Sequence, residues 1–216
     1  PFCSCGGGHV LDVGTGQSAA ASHRHQPQRG ISDIWPLTIP TMPTTTSTTH
    51  LLGLRDISRE RLIGLLESAA GFLPVVTGDE PAADQLAGRI VANLFLENST
   101  RTHVSFTVAA RRLGATTVDL LGSTSSASKG ESLVDTARNI AAMGIDAIVV
   151  RCSASGGAHL IAEHVDVPVI NAGDGRCEHP TQGLLDILAL TESMGTLDLR
   201  ERTIGIVGDI GNSRVA

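Results

Sequence analysis

The chain has 216 residues, 41% hydrophobic but only 2% aromatic, so any core must be built from Leu, Ile, Val and Ala. Its formal net charge of −6 argues against a nucleic-acid or anionic-membrane partner by bulk electrostatics. Four cysteines without a C-x-x-C pair make neither a disulfide framework nor zinc-ligand spacing, so a reducing cytoplasm is the expected setting; no apolar run reaches membrane-spanning length and no signal peptide stands out.

Residues 1–45 differ in composition from the rest. Gly, Ser, His, Gln and Pro dominate up to Gly30, and Thr41 to Thr49 is nearly a threonine tract, so the segment is expected to be disordered or foreign to the natural protein, with Met42 a plausible start. Inside it, His9 to Gly16 imitates a nucleotide- or S-adenosylmethionine-binding glycine loop but lacks a third glycine and the acid-bearing second strand.

Order begins near Leu51. Ser58 reads as an N-cap between Ile57 and Leu62, and Leu62, Leu65, Leu66 and Ala69 continue one helical face. After a break at Pro74–Pro81 come four short runs rich in Val, Ile and Leu: Arg89–Leu96, Ala115–Leu121, Ile145–Val150 and Val167–Ile170. Each is too short for a helix and suits a buried parallel strand. Helical patterns lie between them at Thr102–Leu113, Ser132–Met143 and Ala158–His164, the first two closed by glycine, and a longer one spans Pro180–Met194. This alternation predicts an α/β fold, a parallel four-stranded sheet flanked by helices. Thr203–Gly208 reads as a further strand with a glycine-bearing turn, the start of a second α/β domain. The expected boundaries are 1–45, 46–195 and 196–216.

The first strand runs into Glu97-Asn98-Ser99-Thr100-Arg101-Thr102 and then directly into a helix. Hydroxyls, unpaired N–H groups and a guanidinium thus meet at a helix N-terminus, a ready site for an anion such as phosphate. Alone, that pattern is more safely read as an ordinary N-cap beside a solvated arginine. However, ligands of parallel sheets sit beyond the carboxyl ends of the strands. There the third strand brings Arg151, and the fourth is followed by His179 and Gln182, where a lone salt-bridge arginine or a helix-start histidine would mean little. Three loaded strand ends favour a site. After the second strand, Gly122 to Glu131 is a small polar loop built to reach rather than pack, holding Ser125 and the chain's sole lysine, Lys129, among fifteen arginines.

Phe95-Leu-Glu-Asn-Ser-Thr-Arg-Thr102 fits the carbamoyltransferase signature F-x-[EK]-x-S-[GT]-R-T at every fixed position. Ser125 to Thr136 resembles the mobile loop of the aspartate carbamoyltransferases, and Asn171-Ala-Gly-Asp-Gly175 with His179-Pro-Thr-Gln182 resembles their H-P-x-Q segment. The resemblance covers about Leu51 to Ala216. It implies that Ser99, Thr100, Arg101 and Thr102 bind the phosphate of carbamoyl phosphate, that Thr102, Arg151 and His179 contact its carbonyl oxygen, and that Gln182 contacts its amino group. It further implies that Ser125 and Lys129 act in an adjacent subunit's site, making a homotrimer, and that Arg214 holds a carboxylate of the second substrate, L-aspartate. No metal or organic cofactor is called for, and regulatory or dihydroorotase subunits remain open as partners.

His103 and Thr107 depart from residues common in the family. The further aspartate-domain residues are absent, so the chain by itself is expected to have little or no activity. The alternatives are an ornithine-type carbamoyltransferase and a non-catalytic phosphate-binding or assembly partner. A dinucleotide enzyme is disfavoured because Gly205, Gly208 and Gly211 have the wrong spacing.

Overall fold

The computed structural model describes residues 49–80, 83–122 and 132–215; the His9–Gly16 loop, Ser125 and Lys129 lie outside them. Helix α1 spans Arg59–Gly71, and Ser58 caps it as its spacing predicts, Oγ accepting from Arg61 N–H at 3.2 Å. A short helix α2, Leu73–Thr77, follows where a break was expected. Pro74 sits in its first turn, where a missing N–H removes no helical bond, so the proline starts a helix here instead of ending one.

The strands are β1 (Ile90–Phe95), β2 (Thr116–Leu121), β3 (Ala147–Cys152) and β4 (Val169–Asp174), alternating with α3 (Thr100–Arg112), α4 (Leu133–Ala142) and α5 (Gly157–Ala162); α6 (Pro180–Met194) follows β4. All strand pairs are parallel, in the spatial order β2-β1-β3-β4. Leu51 pairs with Ile170 beyond β4 and ties the entry segment to that edge.

Side chains of the central strands alternate between two apolar layers. Ala92, Leu94, Ile148 and Val150 meet Ala137 and Ile140 of α4 and Ile161 of α5, while Val91, Phe95 and Val149 meet Ala110 and Phe106 of α3. A third cluster joins α1 through Leu66 and Ala70 to Leu184, Ile187 and Leu188 of α6. The three-layer α/β architecture is the predicted one.

Three elements differ from expectation. The strand β2, expected to be buried, is the sheet edge, with Val118 40% and Leu121 45% exposed. Both β3 and β4 begin two residues later than their apolar runs. β4 also runs on through Asn171–Asp174, because its register is set by pairing with β3. Thr203–Val207, read as a strand, carries no regular structure, and Val207 is 98% exposed. An apolar run becomes a strand only when a neighbour takes its hydrogen bonds, and none of the described residues does so here.

A buried polar knot shapes the end of β4. Asp174, fully buried, accepts from Gly156 N–H at 2.8 Å, Glu178 N–H at 3.1 Å and Asn171 Nδ2 at 3.0 Å. Asn171 in turn accepts from Gly173 N–H at 2.9 Å and donates to the Leu52 carbonyl at 2.9 Å. One carboxylate thus ties β4, the start of α5 and the β4–α6 connection together. Asp174→Ala leaves these donors buried and unpaired and is expected to lower unfolding stability by about 2–4 kcal/mol. Urea denaturation checks this against Met143→Ala, a change at an exposed side chain, which should stay within about 0.5 kcal/mol of the parent.

A candidate anion cleft at the strand ends

The sheet order places β1 and β3 side by side although their connections leave in opposite directions, to β2 and to β4. Beyond their carboxyl ends a crevice opens. It holds about 950 Å³ and is lined by Ser99, Thr100, Arg101, Thr102, Arg151, His179 and Gln182, with Phe106 and Leu185 as apolar walls.

On one side stands the N-terminus of α3. Ser58 and Ser132 cap α1 and α4, but among the described residues no side chain caps α3. Ser99, its N-cap residue, instead donates its hydroxyl to Thr102 Oγ1 at 2.9 Å. The first-turn N–H groups are left facing the crevice with the positive end of the helix dipole behind them. Arg101 is exposed, while Ser99 and Thr102 are half-buried. Opposite, α6 begins at His179 and Pro180, again with no side-chain cap.

Between them lies a charged cluster around Glu97. Its Oε1 is 2.7 Å from Arg151 Nη2 and 3.2 Å from Arg214 Nη2. Arg151 Nη1 donates to the Ala172 carbonyl at 2.9 Å and stands 3.5 Å from His179 Nε2. Arg151 Nε and Arg214 Nη1 are buried with no partner among the described residues. Gly173 lies beneath the cluster with φ +114°, and a Cβ there would come within 2.9 Å of Arg214 Nη1 and 3.0 Å of Arg151 Nη1. Only glycine tolerates both that backbone and that approach.

Burial, then Arg151 and Arg214, hold His179 below its ordinary pKa, so its ring is neutral at neutral pH. Gln182 Nε2 donates to Asp186 Oδ1 at 2.9 Å, which leaves its carbonyl oxygen uncommitted by that bond.

The structure therefore brings Ser99, Thr100, Arg101, Thr102, Arg151, His179 and Gln182 to one crevice and sets Arg214 against the cluster at its base. Sequence reasoning missed Glu97 and Gly173. Glu97 sits inside the quoted signature, but a lone glutamate in a turn gives no hint that it bridges arginines 54 and 117 residues away. His103, which departs from the residue common in the family, pairs through Nε2 with Asp119 Oδ1 at 2.8 Å, and Asn93 Nδ2 donates to the same oxygen at 2.8 Å. This bond ties the first turn of α3 to β2.

A parallel α/β sheet with an arginine-rich anion crevice at its strand-order switch defines a phosphate-binding domain class. Residues 49–192 match the family model described as aspartate/ornithine carbamoyltransferase, carbamoyl-P binding domain. The chain belongs to that family. It is 48% identical over 167 residues to the aspartate carbamoyltransferase catalytic subunit of Desulfotalea psychrophila, covering 77% of this chain and 52% of that one. It is 51% identical over 167 residues to the same subunit of Myxococcus xanthus, covering 77% and 54%. Among solved structures, aspartate transcarbamoylase from Trypanosoma cruzi in complex with carbamoyl phosphate and aspartate superposes with a TM-score of 0.71 at 31% identity, covering 82% of this chain and 54% of that one. The catalytic subunit from M. jannaschii gives 0.64 at 40% identity, covering 69% and 48%. The chain thus spans about half the length of the relatives it matches.

The depressed pKa of His179 makes stability depend on pH. The unfolded state takes the proton more readily than the folded one, so the contribution is complete above the ordinary value of 6.5 and is lost as pH falls through the folded-state pKa. His179→Gln is expected to flatten the fall in urea midpoint between about pH 7.5 and about pH 5.5. Replacing Glu97 by Gln removes the nearby negative charge and should push the His179 pKa lower still, as read from its ring proton shifts in an NMR titration.

Proposed function

We propose that the cleft binds carbamoyl phosphate and that the protein transfers its carbamoyl group to the amine of L-aspartate, giving N-carbamoyl-L-aspartate and phosphate, the committed step of pyrimidine synthesis. The observation that carries this reading is the uncapped α3 N-terminus with Ser99, Thr100, Arg101 and Thr102, facing Arg151 and His179 across one crevice. The relatives' names and the carbamoyl phosphate bound in the Trypanosoma cruzi structure support it. In the same proposal, residues 46–195 are the carbamoyl-phosphate domain and 196–216 open an aspartate domain.

The free amine of aspartate attacks the carbonyl carbon; a C–N bond forms and the carbonyl electron pair moves onto oxygen. As that pair returns, the bond between the carbonyl carbon and the bridging phosphate oxygen breaks, phosphate leaves with the bonding electrons, and a proton from the amine goes to it. Thr102, Arg151 and His179 stabilise the charge on the carbonyl oxygen, each such contact contributing about 2–4 kcal/mol in the transition state. The α3 N-terminus and Arg101 take up the charge of the departing phosphate.

Two partners compete for the tautomer of His179. Thr181 Oγ1 stands 3.4 Å from Nδ1, and Arg151 Nη1 stands 3.5 Å from Nε2. A bound oxygen that draws Arg151 away favours the proton on Nε2, where it can be donated to the carbonyl. Gln182 accepts from the carbamoyl amino group. Arg214, already at Glu97, is the candidate for the aspartate carboxylate, and no metal or organic cofactor enters the scheme.

The reading includes a homotrimer in which Ser125 and Lys129 of one copy complete a neighbour's cleft. A cytoplasmic setting accords with the buried thiol of Cys152. Alone, the 216-residue chain is predicted to turn over far more slowly than its longer relatives, which stopped-assay product measurement would check.

Isothermal titration calorimetry with carbamoyl phosphate tests the cleft directly. The chain is expected to bind, and Arg101→Ala to weaken binding by about ten-fold or more, the effect of losing one charge-assisted contact. Binding unaffected by the substitution would refute the assignment. Light scattering on the same samples reports whether the copies form a trimer.

A further inference from the structure

A second large concavity, of about 980 Å³, takes no part in the transfer chemistry, yet shares a wall with the cleft. Arg176, Cys177 and Glu178 line this basin, while the next residue, His179, lines the cleft. Its other walls are the segment running into α1, with Arg55, Ser58 and Arg61, and the loop before α5, with His159 just beyond.

Three guanidinium groups and two imidazoles therefore meet in a chain whose overall charge is negative. Among the described residues, neither Arg55 nor Arg176 has a side-chain hydrogen-bond or ion-pair partner. Arg61 donates from Nη2 to the His50 carbonyl at 3.2 Å, which holds its guanidinium at the rim. Of the two acids present, Glu178 is turned into the wall: its Oε2 accepts from Leu54 N–H at 3.4 Å, and its carboxyl carbon packs where a Cβ on Gly53 would be 3.1 Å away. That leaves Asp56 alone against the arginines. His50 is neutral and committed, its Nδ1 accepting from Val169 N–H at 3.2 Å. The N-terminus of the 13-residue helix α1 borders the same basin at Ser58, but it is capped by that residue and carries Glu60 in its first turn, so the arginines supply the positive charge.

We propose that this basin is a second anion site, separate from the cleft, for a small molecule carrying two or more phosphate charges. Guanidinium forks match phosphate oxygens bidentately, and several of them around one concavity suit a multiply charged anion better than a single carboxylate. An occupant would touch the connection that Asp174 anchors and that delivers His179. The proposal does not depend on what the cleft binds.

The test uses inorganic pyrophosphate and the 216-residue chain. With the cleft weakened by Arg101→Ala, calorimetry is expected to show one remaining pyrophosphate site. Adding Arg55→Ala and Arg176→Ala should weaken it by about ten-fold or more while leaving the melting temperature without ligand unchanged, since both side chains are exposed. Amide NMR shifts in the Arg101→Ala chain should move at Ser155–His159 and Arg176–Glu178, a readout that needs no further variant. The proposal is overturned if the Arg101→Ala chain binds no pyrophosphate, or if binding survives the two added substitutions undiminished. Carbamoyl phosphate titrated into the parent chain reports on the cleft separately, so either reading can fail without the other.

Discussion

The carboxylate of Glu97 holds two guanidinium groups where β1 and β3 part, with Arg151 13% and Arg214 23% exposed at the side chain. Two such cations this close repel each other and disfavour burial. Glu97 offsets part of that repulsion, and the Ala172 carbonyl fixes the direction of Arg151. The arrangement leaves a net positive charge in a largely desolvated place. It also leaves two donor atoms, Arg151 Nε and Arg214 Nη1, with nothing to bond among the described residues. Donors fixed in advance need little reorganisation when an oxygen arrives, which is the condition under which electrostatic stabilisation is strongest.

The backbone around this cluster is shaped by the same demand. Gly173 has no Cβ because both arginines occupy that space. The positive φ at Gly173 turns the chain so that Asp174 points inward and collects three N–H donors or amide hydrogens. That knot in turn fixes the connection carrying His179. A surface anion crevice therefore rests on a fully buried carboxylate beneath it. The two negative groups have different work: Glu97 balances the arginines directly, whereas Asp174 holds the chain that positions the histidine.

Much of this was legible in the sequence, and the gaps have physical causes. The passage from β1 through Ser99–Thr102 into α3 could be read because a short β-branched run, hydroxyl residues and a helical period follow one another without a spacer. The limits of β3 were misplaced because apolar content ends at Val150, whereas pairing of Phe95 with Arg151 carries the ladder further. The apolar run of β4 ends at Ile170, yet in the fold the Asn171 and Asp174 side chains bond inward, and the segment pairs as strand. Thr203–Val207 shows the converse: strand composition without a neighbour yields no strand. Glu97 could not be singled out at all, since its meaning lies in two partners that are distant in sequence.

The cleft is therefore an unfavourable arrangement held in place by the rest of the fold. Neutral His179, two guanidinium N–H groups without a partner among the described residues and a helix terminus without a side-chain cap among them each carry a small cost. The buried clusters on both faces of the sheet and the Asp174 knot supply the stability that keeps these groups together. The α3 terminus and Arg151 both line the cleft, so an anion held there would add its binding free energy to folding stability. These groups have no partner among the described residues, and their positions follow from the order of the strands.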